Sequence, residues 1–302
     1  MLFSILIANY NNGKFFPDCY KSIMAQSYTN WEAIIVDDGS TDDSVAVIKE
    51  IIGEDERFTF IQRSENKGCG YTKRECAKHA KGEISGFLDP DDTILEDALQ
   101  IMVDEHKDHP DVAIITSRYA LVDMKLNFIE NGSHGSAIPN DKSYLTFGKG
   151  ALTAFASFKQ QLYDKTEGID PNMKRAVDQD LYYKMEEQGE HLFLDKVLYN
   201  YRIHENSISN NENLYKAEYW HFYAIMNAYK RRKRLGLKLD NFSQNYASEY
   251  ASRYYLTRFR ELKHSKKTTS KFYFIWKAIH ASPFHQFKHK IKSLLLLILG
   301  RI

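Results

Sequence analysis

From Phe3 to Ser117, short apolar runs alternate with segments of helical periodicity. This alternation limits the fold more than any other feature of the chain. Phe3–Ala8 is apolar apart from Ser4, the pattern of a strand covered on both faces. Phe16, Cys19, Tyr20, Ile23 and Met24 then recur at helical spacing within Phe15–Ser27. Trp31–Val36 reads as a second strand. Ser40 reads as the N-cap of a helix running through Ile52, with Asp42 and Asp43 in its first turn. Strands at Phe58–Gln62, Ile84–Leu88 and Val112–Ser117 alternate with helices at Tyr71–Ala80 and Leu95–His109. The expectation is an α/β, doubly wound, mostly parallel sheet with helices on both faces.

Sheets of this kind bind ligands beyond the carboxyl ends of their strands. The stretch Lys81–Asp92, KGEISGFLDPDD, puts Asp89, Asp91 and Asp92 at such an end. Hard carboxylate oxygens suit Mg²⁺ or Mn²⁺, which usually bind through one or two carboxylates plus substrate phosphates. A metal-bridged diphosphate site is one reading. The other is a strand end followed by a helix from Ile94 that Asp92 or Thr93 caps.

The remaining residues narrow the class. The chain has 302 residues, 43% of them hydrophobic, and a net charge of +1, which carries no global nucleic-acid signature. Cys19, Cys69 and Cys76 form no CxxC pair, which points to a reducing cytoplasm rather than a disulfide framework or zinc site. The opening MLFSILIANYNN reads as a strand and not as a signal peptide. The longest apolar run, Leu294–Leu299, is far short of a membrane span. Gly68-Cys69-Gly70 has Lys73 where a dinucleotide fingerprint needs a third glycine. Gly148-Lys149 lacks the earlier glycine of a P-loop, and no Gly-x-Ser-x-Gly elbow occurs.

Between Arg118 and Gly168 the pattern loosens into short strands and loops. A helix follows at Asp178–Gln188, then a strand at Val197–Ile203 and a polar loop at His204–Asn211. Beyond Leu214 come aromatic-rich helical stretches and the basic cluster Lys230–Arg234. The segment from Lys263 to Ile302 has no Asp or Glu and mixes lysines with aromatics. It either lies on an anionic membrane surface or packs back on the protein by its aromatic face.

Six motifs occur in order: SILIANYNN, VDDGSTDDS, NKGCGYTKRECAKHAKGE, FLDPDD, VDQDL and YRIHENSIS. In this order the chain resembles the family 2 glycosyltransferases, inverting enzymes of the GT-A type. The resemblance covers about residues 1–210, with 1–117 as a nucleotide-binding half and 118–210 as an acceptor-binding half. Residues 211–302 form a helical, basic extension outside it.

The resemblance implies roles that residue chemistry supports. Ala8 and Tyr10 form a wall of the base pocket, where an aromatic ring can stack on a base; Tyr10 is otherwise an ordinary loop aromatic. Asp37 or Asp38 accepts the imide N–H of the base, or caps a helix with Ser40. Lys73 stands where relatives carry an Arg that faces the donor diphosphate, with Arg74 beside it as a compensating charge. Asp89 and Asp91 match the family's Asp-x-Asp, Asp91 as direct metal ligand and Asp89 near the ribose or metal. His204 matches a histidine that reaches the metal or phosphates. Asp178 matches the general base, although Val177 replaces the usual Glu before it; Asp180 is a structural or acceptor-binding residue. The implied function is metal-assisted, inverting, hexosyltransferase-like transfer from a nucleoside diphosphate sugar, with UDP favoured, to a glycan or lipid-linked glycan in polysaccharide synthesis. The cofactor is Mn²⁺ or Mg²⁺, and the setting is the cytoplasm or the inner membrane face. Two rivals stand beside it: a sugar nucleotidyltransferase, and a catalytically inactive nucleotide-binding protein of the same fold.

Overall fold

The computed structural model describes residues 1–148, 150–204, 214–239, 244–263 and 265–301. Lys149, the stretch 205–211 and with it the boundary expected at residue 210 lie outside the described residues. The chain divides into two compact units, Met1–Glu205 and Asn206–Ile302.

The first unit begins with β1 (Phe3–Asn9), α1 (Phe16–Met24), β2 (Trp31–Asp37), α2 (Ser44–Ile52), β3 (Phe58–Gln62), α3 (Cys69–His79) and β4 (Ile84–Phe87). It continues through β5 (Thr93–Ile94), α4 (Ala98–Asp108), β6 (Val112–Val122), β7 (Phe128–Asn131) and α5 (Tyr144–Phe147). It ends with β8 (Ala156–Lys159), α6 (Gln160–Tyr163), α7 (Val177–Glu186) and β9 (Glu190–Arg202). The strands form one nine-stranded sheet in the order β3-β2-β1-β4-β8-β6-β9-β5, with β7 on β6.

The sheet is mixed. Parallel ladders join β3, β2, β1 and β4, and a longer one joins β6 to β9. The strands β8, β5 and β7 pair antiparallel. The chain walks outward from β1 to β3 and then returns to the other side of β1 as β4. That reversal makes a topological switch point between β1 and β4, the place where an open α/β sheet offers a crevice.

Side chains on a strand alternate between faces. Phe3, Ile5 and Ile7 of β1 share a core with Phe16 and Ile23 of α1, Ile48 of α2 and Leu99 and Met102 of α4. Leu6, buried as well, takes the opposite face, where α3 packs across β1 and β2. Covering on both faces explains the unbroken apolar runs.

Four expectations change. Ser40 does not cap α2, which starts at Ser44 with no side-chain cap. Its hydroxyl instead donates to Asp37 Oδ1 at 2.5 Å and accepts the Asn11 N–H at 2.9 Å. No helix starts at Ile94 or Leu95. Thr93 and Ile94 pair with Asn200 and Tyr199 of β9, and α4 starts at Ala98. The strands expected at Val112–Ser117 and Val197–Ile203 are parts of longer ones, because β6 and β9 run alongside each other through register shifts. The sheet also carries antiparallel members that helical alternation could not announce.

The short β5–β9 pairing brings the end of β9 back to the acidic turn after β4. The Tyr199 hydroxyl donates to Asp92 Oδ2 at 2.7 Å and accepts the Asp89 N–H at 3.3 Å. Arg202 N–H donates to Asp92 Oδ1 at 2.8 Å. The Arg202 guanidinium donates to the Asp91 carbonyl at 2.8 Å, the Met124 carbonyl at 3.0 Å and Asp18 at 2.9 Å. Burial, then the neighbouring Asp91 and Asp89, push the Asp92 carboxyl well above the usual range; the Arg202 N–H and Tyr199 hydroxyl pull it back.

The second unit contains α8 (Leu214–Arg234), α9 (Gln244–Glu261), α10 (Thr268–Ala281) and α11 (Phe287–Ile298). Arg253 of α9 pairs with Glu218 of α8 at 3.0 Å. Leu256 and Phe259 of α9 pack with Ile275 and Ala278 of α10 and Leu297 of α11. The basic cluster ends α8, where cations complement the helix dipole. Arg232 there also donates to the Lys238 carbonyl.

Two substitutions test this packing. A Cβ on Gly70 of α3 would lie 2.5 Å from the carbonyl oxygens of both Asp170 and Met173. Gly70→Ala is therefore expected to cost about 1–3 kcal/mol in denaturant unfolding. Tyr199→Phe deletes the hydroxyl between Asp89 and Asp92 and leaves a buried carboxyl oxygen short of a donor. An unfolding loss of about 1–3 kcal/mol is expected, whereas an unchanged midpoint would mean that this hydroxyl holds nothing.

Candidate active site

The residues singled out in the sequence gather around the carboxyl ends of β1, β2 and β4. Asp37 ends β2, is fully buried, and is held entirely by protein donors. Its Oδ1 accepts from Asn9 Nδ2 at 2.7 Å and from Ser40, and its Oδ2 accepts the Ser40 N–H at 2.9 Å. Asp38, also buried, accepts the Lys67 N–H at 2.9 Å and the Gly68 N–H at 2.7 Å. It thereby ties the end of β2 to the N-terminus of α3. Gly68 takes φ +96°, a conformation that L side chains rarely adopt. Ala8 lies near the end of β1 and Tyr10 just past it, with Tyr10 43% exposed.

Lys73 lies one turn into α3. Its side chain is 5% exposed, and its ammonium stands between two carboxylates. It reaches Asp178 Oδ1 at 2.7 Å and Asp89 Oδ1 at 3.2 Å. Asp89 and Asp178 keep 44% and 47% of their side-chain surface open to solvent. Burial alone would drive Lys73 towards neutrality, but Asp178 and then Asp89 outweigh it and raise the amine well above its usual range. The raised value keeps the ammonium charged throughout neutral pH, and its pairing would lapse only in strong alkali. Cys69, on the preceding turn, is pushed by burial up to about 12, so it stands beside the ammonium as a neutral thiol. All three cysteines are free.

Asp178 sits in the first turn of α7 together with Asp180, where the helix dipole favours carboxylates. The two diverge. Asp178 faces Lys73, whereas Asp180 is buried against Lys184 at 2.5 Å, and Lys184 also donates to the Gly168 carbonyl. Arg74 does not join the carboxylates. Its guanidinium donates to the Glu167 and Ile169 carbonyls at 3.1 and 2.8 Å.

Asp91 meets His204 from beyond β9, with Nε2 2.8 Å from Asp91 Oδ2. The His204 ring lies against Phe15 with centroids 4.7 Å apart, and the Arg202 guanidinium lies 5.1 Å from the same Phe15 centroid. Among the described residues no group of three or more His, Cys, Asp or Glu is arranged to hold a metal ion. The Asp91 carboxylate is nevertheless of the oxygen type that Mn²⁺ or Mg²⁺ takes, ions that need few protein ligands and complete their shell with phosphate and water.

Sequence reading missed the residues that set this geometry: Asp18, Phe15, Asp92 as an acceptor, Tyr199 and Arg202. Arg202 sits inside the YRIHENSIS motif, next to the histidine that drew attention. An arginine two residues before a metal-site candidate was the available signal.

The chain matches the sequence profile of glycosyl transferase family 2 over residues 4–166. It is 30% identical over 243 residues to a chondroitin synthase of Escherichia coli, covering 80% of this chain and 34% of that one. It is 27% identical over 247 residues to a chondroitin synthase of Pasteurella multocida, covering 80% and 24%. The chain thus spans about a third and about a quarter of these relatives. Among solved structures it resembles S. aureus TarS in complex with UDP-GlcNAc, with a TM-score of 0.61 at 18% identity over 93% of this chain and 81% of that one. It also resembles a mannosyltransferase from Pyrobaculum calidifontis in complex with GDP-Man and Mn²⁺, with a TM-score of 0.58 at 14% identity over 99% and 88%. At such identities the likeness speaks to the fold, which is of the GT-A type with a helical region after it. On the match across more than half of its length, the chain belongs to glycosyl transferase family 2.

Proposed function

We propose that this chain transfers a sugar, with inversion, from a nucleoside diphosphate sugar to a hydroxyl of a growing polysaccharide. The observation that carries this reading is the Lys73 ammonium, which joins Asp89 of the Asp-x-Asp turn to Asp178 of α7. A donor-side carboxylate and an acceptor-side carboxylate meet at one cation. UDP is the proposed nucleotide, since the TarS structures are complexes with UDP and UDP-GlcNAc. A polysaccharide acceptor fits relatives that are chondroitin and hyaluronan synthases. Residues 1–117 would serve the donor and 118–210 the acceptor, with 211–302 as an extension.

In this reading Ala8 and Tyr10 flank the base, with the exposed Tyr10 ring available for stacking. Asp37 and Asp38 shape the pocket, and one of them accepts the imide N–H of the base. Asp91 and His204 would hold Mn²⁺ or Mg²⁺, with Asp89 close to the ribose or ion. When bound, the ion would neutralise charge growing on the leaving diphosphate. Asp178 takes the proton from the acceptor hydroxyl as that oxygen attacks the anomeric carbon.

Lys73 links the two halves of the reaction. Without a donor it occupies an oxygen of Asp178, the group required as base. A diphosphate offers the ammonium a stronger anionic partner. Turning Lys73 toward phosphate frees Asp178 Oδ1, the oxygen that the ammonium otherwise occupies. The donor therefore binds before the acceptor is deprotonated.

Calorimetry with UDP, GDP and dTDP, each with Mn²⁺ and again with chelator, is the first test. Metal-dependent binding of UDP is expected, and Asp91→Asn should weaken it. Asp178→Asn is expected to lower transfer by roughly 10²–10⁴-fold while donor affinity stays within a few-fold. Lys73→Met should weaken both. Failure of the folded protein to bind any of the nucleotides would remove the donor site, and full transfer by Asp178→Asn would remove the base. Release of pyrophosphate from a nucleoside triphosphate would instead favour the nucleotidyltransferase, which the loop Asn9–Gly13 argues against because it lacks that class's Gly-rich, Arg-containing sequence.

A further inference from the structure

Among the described residues of the second unit, α10 and α11 each leave apolar side chains exposed. Helix α11 packs inward through Leu294 and Leu297. On its outer side Ile291, Leu295 and Ile298 are exposed, Ile298 by 64%. These three recur at i, i+4 and i+7, so they form one stripe. Helix α10 does the same. Ile275 and Ala278 turn inward, while Phe272 and Trp276 stand out, Trp276 by 56%. Phe284, in the link between the helices, is 86% exposed. An exposed apolar stripe on a helix that also packs inward calls for a second apolar neighbour, protein or lipid.

Charge identifies the occupant. Residues 263–302 hold 9 of the chain's 41 Lys and Arg and none of its 40 Asp and Glu. That segment is therefore +9, and the preceding 262 residues are −8. Lys288 and Lys292 are exposed beside the α11 stripe. Bulky aromatics and aliphatics, flanked by lysines and free of acids, match the boundary between headgroups and acyl chains of an anionic bilayer. A soluble anionic glycan would use the lysines and could stack on Trp276, but it gains nothing from Ile291, Leu295 and Ile298. No helix among the described residues is long and apolar enough to cross a membrane. At 12 residues α11 spans about 18 Å against a hydrocarbon core of about 30 Å, so it would lie in the surface.

We infer that α10 and α11 form an interfacial docking surface for anionic lipid bilayers, inserting Phe272, Trp276, Phe284, Ile291, Leu295 and Ile298. The inference is independent of the donor site.

The test is co-sedimentation of the full chain with vesicles of phosphatidylcholine alone and of phosphatidylcholine with phosphatidylglycerol. Pelleting with the anionic vesicles, weakened by salt, is expected. Lys288→Gln with Lys292→Gln should lower the partition constant about 25-fold, about fivefold per lysine. Trp276→Ser with Leu295→Ser and Ile298→Ser should lower it by roughly tenfold or more. These side chains are exposed, so circular dichroism and nucleotide binding should match the parent. Equal pelleting of parent and apolar variant would overturn the inference, as would no pelleting of the folded parent. Capture by soluble polyglutamate that survives the apolar substitutions, with vesicles left unbound, would overturn it in favour of a polyanion site. A dimer that the apolar variant dissociates, again without vesicle binding, would assign the face to a second copy of the chain.

Discussion

A single buried ammonium joins three parts of the first unit that are distant in sequence. Lys73 comes from α3, Asp89 from the turn after β4 and Asp178 from the start of α7. Burying a charge is costly unless it is paired, and the pairing here is double. Removing the cation would leave two carboxylates to repel each other across the same space. This constraint brings Lys73 of α3 to the first turn of α7, and the absence of a Cβ at Gly70 lets α3 press against the Asp170 and Met173 carbonyls just before that helix.

The candidate site lies where sheet order predicts one. The sheet reverses direction between β1 and β4, a position where open α/β sheets bind ligands, and the acidic turn is what β4 delivers there. A turn of three carboxylates would repel itself, and two devices offset this. Lys73 takes the charge of Asp89 on one side. On the other, β9 arrives parallel to β6, pairs with β5, and supplies Tyr199 and Arg202 to Asp92 and His204 to Asp91. Each acid of the turn therefore has a different neighbour and a different chemistry, although the three are adjacent in sequence.

Much of this was legible in the sequence. The parallel half of the sheet was written in apolar runs separated by helical periods, because strands covered on both faces must be apolar throughout. The strand-end acids stood out because charge rarely follows such runs without purpose. What periodicity could not reveal is pairing at long separation. The two-residue strand at Thr93–Ile94 has no pattern of its own, and only its pairing with Asn200 and Tyr199 of β9 makes it a strand. For the same reason the acids before it resembled a helix cap. Ser40 misled because a serine near a helix start can bond to any nearby donor or acceptor, and here an aspartate three residues earlier was the stronger partner. Asp178 and Asp180 both favour a helix N-terminus by type; the sequence reading gave them different roles, and the structure gives them different partners, Lys73 and Lys184.

The contact at Gly70 bears on how members of this family can be recombined. The glycine presses against backbone carbonyls at Asp170 and Met173, and its N–H donates to the Met173 carbonyl at 2.9 Å. The fit is thus between two main chains and owes nothing to side-chain identity beyond the glycine. A chimera that exchanged the later part of the first unit for that of a relative would keep its core only if the incoming loop carried the same backbone shape at those two carbonyls. Exchanging side chains in that loop leaves the contact untouched, whereas inserting or deleting a residue between 166 and 177 does not. The loop can therefore vary in residue type more freely than in length.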